Sequence, residues 1–283
     1  MSSTTPDPKP TFWLKATSSD GALPELVVKA AIIEEALSEL TRMRIEFLCR
    51  DRSLSLRGLL GQQVTLGYAE PGADLRQFHG LCVQAEYIGT HQGMARFVME
   101  VRPRFWFLTR QADCKVFQGK TTSAIVQEVT QEDGFSSNLK LTLSASYDPR
   151  PYCIQYRETD FAFISRLMEE EGIYYYFTHD GSAETMVLAD SPGQHKPLPG
   201  GPKLEYVEAE VVEFEHRDQV FEWQALDQAT TGEVSLVSYN FETPDQSLLV
   251  KRSIPFGAHP HVGAERYDNE GRYLTSGAGV ARA

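Results

Sequence analysis

Residues 157–177 read RETDFAFISRLMEEEGIYYYF, where three glutamates, a glycine and three tyrosines close an amphipathic run. Phe161, Ile164 and Met168 recur at three- and four-residue steps, and Phe163 with Leu167 makes a second row, so one broad stripe of a helix is apolar. Thr159 or Asp160 caps its start. Beyond Gly172 the period drops to two, with Ile173, Tyr175 and Phe177 on one strand face and Tyr174 and Tyr176 on the other. Gly172 can take the left-handed conformation that other residues resist, so the stretch predicts a helix-to-strand corner.

Glu169, Glu170 and Glu171 fall in the last helical turn, where the helix dipole disfavours acidic groups and a compensating cation is needed. Arg166 lies three and four residues before Glu169 and Glu170, and Arg157 is placed to approach from the helix entrance. A glycan hydrolase would instead need two carboxyls roughly 5–10 Å apart across an open cleft, one of them with a raised pKa. Adjacent glutamates on a helix point in different directions, which favours a solvated or salt-bridged face over a catalytic pair. The tyrosines read first as sheet packing or an interface, with sugar stacking the lesser reading.

Outward from this corner the pattern is mostly strand. From Thr11 to Arg110, short β-branched and aromatic runs such as RMRIEFLC and ARFVMEV alternate between turns, and THQG offers a hairpin loop. Arg42 and Arg44 share one strand face, read here as a solvated edge. TTSAIVQEVTQEDG predicts a helix capped by Thr121 or Thr122 and stopped at Gly134. The preceding FQGKTT resembles the end of a phosphate loop, but Cys114 stands where the first glycine belongs and Val116 and Phe117 are bulky, so nucleotide binding is rejected. DSPGQHKPLPGGP is a breaker-rich boundary, after which LEYVEAEVVEFEHR, VFEWQAL, GEVSLVSYNF and SLLVKRSIPF read as strands. His259 and His261 lack a third metal ligand at suitable spacing, and no GxSxG nucleophile elbow occurs.

The composition, 41% hydrophobic and 23% charged, is that of a packed globular chain. A formal charge of −12 repels phosphate backbones and anionic lipid, so no nucleic-acid partner is expected. Cys49, Cys82, Cys114 and Cys153 are far apart and read as free thiols. The polar start MSSTTPDPKP lacks the features of a secretory signal, and no apolar window is long enough for a membrane helix. No cofactor, metal or stable membrane insertion is expected.

RPYCIQYRETDFAFISRLMEEEGIYYYFTHDG, followed by MVLAD, resembles the most characteristic block of the VgrG family, the spike of bacterial type VI secretion related to contractile phage tail hubs. LLGQQVTL, FHGLCVQAEYIG, PRFWFLTRQADCKVFQGKT and VSLVSYNFETP support it, so the resemblance runs from about Leu23 to Arg282. It implies a β-dominated α+β fold: two small β-barrels with helical insertions, assembled as a homotrimer into a ring that seats on a hexameric tube protein among baseplate proteins and carries effector cargo. The implied divisions are a flexible tail at 1–11, a first barrel at 12–110 completed by strands from about 203–255, a second barrel with helices at 111–190, a linker at 191–202, and the start of a C-terminal segment at 256–283. Assembly in the cytoplasm and export through the type VI machine without a signal peptide would follow. Members continue into an oligonucleotide-fold barrel and a β-helix, whereas this sequence stops at GRYLTSGAGVARA, so a truncated, engineered or split form is expected and trimer stability is in doubt. Tyr152, Gln155, Tyr156, Arg157, Glu158, Arg166, Gly172, Tyr174 and Tyr176 are the expected corner or interface residues, with no catalytic role. The rival readings are a cell-wall glycan hydrolase using Glu170 or Glu171 and an effector-binding adaptor using Tyr174 and Tyr176.

Overall fold

The computed structural model describes residues 11–69, 76–195, 204–207, 219–220, 222–254, 257–269 and 273–282. Most of the tail expected at 1–11, part of the linker at 191–202 and the strand residues 208–218 lie outside that set. The chain divides into two compact units, Met1–Gln219 and Val220–Ala283.

The first unit opens with six strands: β1 (Thr11–Ala16), β2 (Leu26–Glu34), β3 (Arg42–Cys49), β4 (Gln63–Ala69), β5 (Arg76–His91) and β6 (Met94–Arg102). They form one antiparallel sheet in the order β1-β4-β5-β6-β3-β2. Strict alternation sets its inner face: Met43, Ile45, Phe47 and Cys49 of β3 are buried opposite Val101, Met99, Phe97 and Ala95 of β6. Each large side chain so buried contributes about 1.5–3 kcal/mol. Phe47 stacks on Phe97 with ring centroids 5.4 Å apart. Bulges between Cys82 and Gln84, between Tyr87 and Gly89, and between Val28 and Ala30 curl the sheet, bringing edge strands β1 and β2 close together. The curl also needs Gly67, because a Cβ there would lie 2.0 Å from the Trp13 ring.

The loop THQG forms the β5–β6 hairpin, with positive φ at both Gln92 and Gly93, the geometry that matches the strand twist. Arg42 and Arg44 lie on an internal strand, which corrects the reading of a solvated edge. A cross-strand partner explains the tolerance of Arg42 there, since it pairs with Glu100 at 3.0 Å, and further along the same two strands Arg96 forks onto Glu46 at 2.7 and 3.0 Å. The short helix α1 (Leu56–Leu59), capped by Ser55, leads into β4.

A second core follows in the same unit. A 3-10 turn (Arg104–Thr109) leads to strand β7 (Ala112–Phe117), helix α2 (Thr122–Glu132), strand β8 (Leu139–Thr142), strand β9 (Cys153–Thr159), helix α3 (Asp160–Glu170), strand β10 (Tyr174–Thr178) and strand β11 (Thr185–Ala189). β7 and β9 make an antiparallel ribbon, while β10 pairs antiparallel and β8 parallel with β11. Thr121 caps α2 by accepting from the Ala124 amide at 3.2 Å, and Thr159 caps α3 by accepting from Ala162 at 3.1 Å. The helices bury Ile125 and Val129, and Phe163, Ile164, Leu167 and Met168, against Ile173, Tyr175 and Phe177 of the β10 segment.

In the second unit, strand Glu233–Leu236 pairs antiparallel with Val250–Ser253 and parallel with Glu265–Asp268. Tyr273 seals the small core with its hydroxyl between the carbonyls of Leu236 and Leu248, at 2.8 and 2.6 Å, its single proton shared between these two acceptors. Residues 222–232 carry no strand, which corrects most of the VFEWQAL expectation: Trp223 and Leu226 stand exposed, and no neighbour among the described residues completes a ladder for them.

Candidate functional site

The site grows from β9, where Cys153 and Gln155 point inward and Ile154 and Tyr156 outward. Arg157 then departs from the alternation, with φ +53 at the point where the ribbon register skips from Asp113 opposite Glu158 to Cys114 opposite Tyr156. This bulge lets Glu158 turn back toward the helix. The Arg157 guanidinium lies over the Tyr156 ring, 5.2 Å from its centre.

Fully buried Gln155 ties strand to helix by donating its Nε2 to Asp160 Oδ1 at 2.6 Å and to the Glu158 carbonyl at 3.2 Å. Arg166 reaches back from α3 to fork onto Glu158, Nε to Oε2 at 2.9 Å and Nη2 to Oε1 at 2.7 Å, and donates to the Ile154 carbonyl at 2.8 Å. Its stem and guanidinium cover the Phe163 ring at 5.1 Å. Gln155, Glu158 and Arg166 therefore converge at the helix entrance.

The glutamates at the other end have a partner that sequence reasoning missed. Arg150, only 8% exposed, donates Nη1 to Glu170 Oε2 at 2.6 Å, Nη2 to Glu171 Oε1 at 2.7 Å and Nε to Thr122 Oγ1 at 3.0 Å. One guanidinium thereby joins the end of α3 to the start of α2. Arg166 adds a looser contact to Glu170 at 3.8 Å. The signal available in the sequence was charge arithmetic: three acids at a negative helix end exceed what Arg166 alone can balance, and Arg150 opens the same block.

Gly172 has φ +69 and closes α3 with two bonds, Ile173 N–H to the Met168 carbonyl at 2.9 Å and Gly172 N–H to the Glu169 carbonyl at 3.2 Å. The strand beyond it buries Tyr175 and leaves Tyr174 and Tyr176 half-buried beneath His195, which stacks on Tyr174 and accepts or donates at its hydroxyl at 2.9 Å. Tyr152 and Tyr156, by contrast, are 55% and 64% exposed. With Val116 and Ile154, which face each other across the ribbon, they make an apolar outer face on β7–β9.

The β11 end carries a further anchor. Asp190 accepts from the amides of Ala145 and Ser144, at 2.8 and 2.9 Å, and from the Tyr147 hydroxyl at 3.0 Å. The Ala145 amide foremost holds its carboxyl well below the usual carboxylate range. Burial and Asp190 together push the Tyr147 phenol up to about 12.

What this arrangement can do chemically is hold parts together. Both helix-end carboxylates are bound to one buried arginine instead of flanking an open cleft. At the entrance to α2, Thr121 is committed to capping and Lys120 to Glu128, so neither is left for a phosphate. None of the four cysteines is in a disulfide: Cys49, Cys82 and Cys153 are buried, with burial pushing Cys82 up to about 11, while Cys114 is exposed. Among the described residues, no group of three or more His, Cys, Asp or Glu side chains could hold a metal ion, and no helix is long and apolar enough to cross a membrane.

Residues 34–283 match the family described as phage tail baseplate hub (GPD). The chain is 35% identical over 244 residues to the type VI secretion system spike protein VgrG1a of Pseudomonas aeruginosa, covering 86% of this chain and 37% of that protein. Against VgrG3 of Vibrio cholerae it is 24% identical over 253 residues, covering 85% of this chain and 23% of that protein. The chain thus spans about a third or less of these relatives. The Escherichia coli c3393 protein, a component of the type VI secretion system with structural similarity to T4 bacteriophage tail proteins gp27 and gp5, superposes with TM-score 0.59 at 24% identity, over 69% of this chain and 53% of that one. The tail protein from Neisseria meningitidis MC58 superposes with TM-score 0.58 at 10% identity, over 96% of this chain and 74% of that one.

Proposed function

Because the chain belongs to the phage tail baseplate hub family, we propose that it is the hub region of a type VI secretion spike, a structural part that assembles as a trimer and is expelled with its cargo. The observation that carries this reading is the family match over residues 34–283, joined to the 35% identity with a type VI spike protein. The proposed arrangement is a first barrel at 12–110 completed by strands from about 203–255, a second at 111–190, and the beginning of a C-terminal segment at 256–283. The proposed partners are the hexameric tube protein, baseplate proteins and effector cargo, and the proposed route is cytoplasmic assembly followed by export through the type VI machine.

Within this hub seven of the nine expected corner and interface residues take two proposed roles. Gln155, Arg157, Glu158, Arg166 and Gly172 fix the strand–helix–strand corner. Tyr152 and Tyr156, together with Ile154 and Val116, meet a second copy of the chain. Tyr174 and Tyr176 are engaged by His195, which argues against their serving as the adaptor surface for an effector.

The chain performs no glycan hydrolysis on this reading, because Glu170 and Glu171 are both committed to Arg150. Replacing both with glutamine keeps neutral acceptors in place but leaves the buried Arg150 without a counter-charge; it is expected to cost about 3–5 kcal/mol of stability while the protein that folds is still secreted. Secretion of the double variant beside the natural protein, and release of sugar from purified cell wall by each, test the assignment. Wall cleavage by the natural protein that the double variant loses would establish the enzyme instead.

A further inference from the structure

We infer that the contact between the first sheet and the β10–β11 loop is an acid-sensitive latch, closed while His79 and His179 are neutral and opened when they take up protons. The loop, residues 179–184, lies on β4 and β5. Gln63 donates its Nε2 to the Ser182 carbonyl, and the Phe78 ring meets His179 edge-on at 5.3 Å. β5 runs past its last pair with β6, Leu81 opposite Arg102, so the His79 amide has no ladder partner on that side. His179 supplies one by accepting that N–H on Nδ1 at 3.0 Å.

The direction of this bond fixes the charge state. A ring nitrogen that accepts carries no proton, so docked His179 bears its one proton on Nε2. A second proton would set two N–H groups against each other at 3.0 Å. His79 is only 2% exposed; its Nδ1 meets Thr65 Oγ1 at 3.0 Å, and its Nε2 is buried without a hydrogen bond. The two rings lie 6.1 Å apart, so a charge on either opposes a charge on the other.

The charged groups around the pair come from every packed element. Glu35, from the β2–β3 loop, faces His179 Nε2 at 3.4 Å, but its side chain is 42% exposed and solvent weakens its pull. Glu184, at the far end of the loop, is committed to Arg104 at 2.9 Å, and Arg76 lies over the Phe78 ring at 5.9 Å. Burial, and then the neighbouring His179, hold the His79 ring below the ordinary histidine range, against an opposing pull from Glu184 and the Gly181 carbonyl. The sign follows for His79: its depressed pKa in the docked state means that its contribution to the latch is fully present above the ordinary histidine value of about 6.5 and is lost as pH falls below it. Each core keeps its own apolar packing, so acid loosens the join between them before it unfolds either.

Amide hydrogen exchange of the full chain at pH 7.5 and 5.5, corrected for the intrinsic rate, reads the latch directly. Protection of the His79 amide and of residues 179–182 is expected to fall more than about fivefold at the lower pH, while Ile45 and Met99 hold theirs, since each pKa unit between docked and open states is worth about tenfold in the equilibrium. In His79→Asn/His179→Asn, an amide oxygen can replace each Nδ1 without titrating, and the response should shrink to within about twofold. Unchanged protection in the natural protein, a gain on acidification, or an equally pH-dependent double variant would overturn the latch. If the double variant does not fold, ring titration of the natural protein decides: protonation of both histidines without loss of His79 protection overturns it, and protonation coincident with that loss supports it.

Discussion

Gly172 and Arg150 bear the sharpest single-residue consequences. A Cβ built on Gly172 would touch nothing within 4 Å, so a substitution there meets only the cost of φ +69. Alanine is expected to lose about 1–2 kcal/mol and the β-branched valine about 2–4 kcal/mol, read as shifts in the urea midpoint. Arg150→Met removes the buried end of two ion pairs and strands their carboxylates; it is expected to cost about 3–5 kcal/mol. Arg166→Ala should cost less, because its fork to Glu158 is more exposed. Equal midpoints for the natural chain and Arg150→Met would show that the buried guanidinium holds nothing together. The corner glycine was legible in the sequence because helix and strand periods change across it. Arg150 was not, because it reaches its glutamates from a loop 20 and 21 residues away, and periodicity carries no information about such a pair.

At the level of elements, both longer helices and the strands β3 and β6 were legible because their signals are local: a hydroxyl cap, a three-to-four step, an alternation of apolar and polar residues. What alternation does not reveal is which of two apolar faces is covered. β9 shows the limit, since Gln155 is fully buried while Ile154 and Tyr156 face outward. Polar identity would have assigned these positions the other way, and the buried hydrogen bond from Gln155 to Asp160 is what reverses it. Arg42 was misplaced for a related reason, because strand order depends on non-local pairing and an arginine on an inner strand needs only a glutamate opposite. The Asp190 anchor is also an element-scale device, joining β11 to the segment after β8. Asp190→Asn should lower the thermal midpoint, by about 1–2 kcal/mol of stability at pH 7. The difference should vanish as pH falls through the depressed carboxyl pKa, because the protonated acid no longer outperforms the amide; a pH-independent difference would point to packing instead.

For the whole molecule, the surface proposed to meet a second copy is the β7–β9 outer face, where Val116, Tyr152, Ile154 and Tyr156 stand exposed. Three copies would bring together three times the −12 formal charge, so assembly has to draw on apolar contact and should strengthen as salt screens the repulsion. Ile154→Asp/Tyr156→Asp adds charge to that face without touching either core, and is expected to leave the melting temperature within about 2 °C while weakening self-association more than tenfold by sedimentation. Unaltered association would move the interface elsewhere on the hub. The most direct test of the structural account is in-cell crosslinking of the full-length protein through a photoreactive residue at position 156. A covalent trimer that accumulates in assembling cells is the expected result, and a protein that remains monomeric throughout secretion would contradict it.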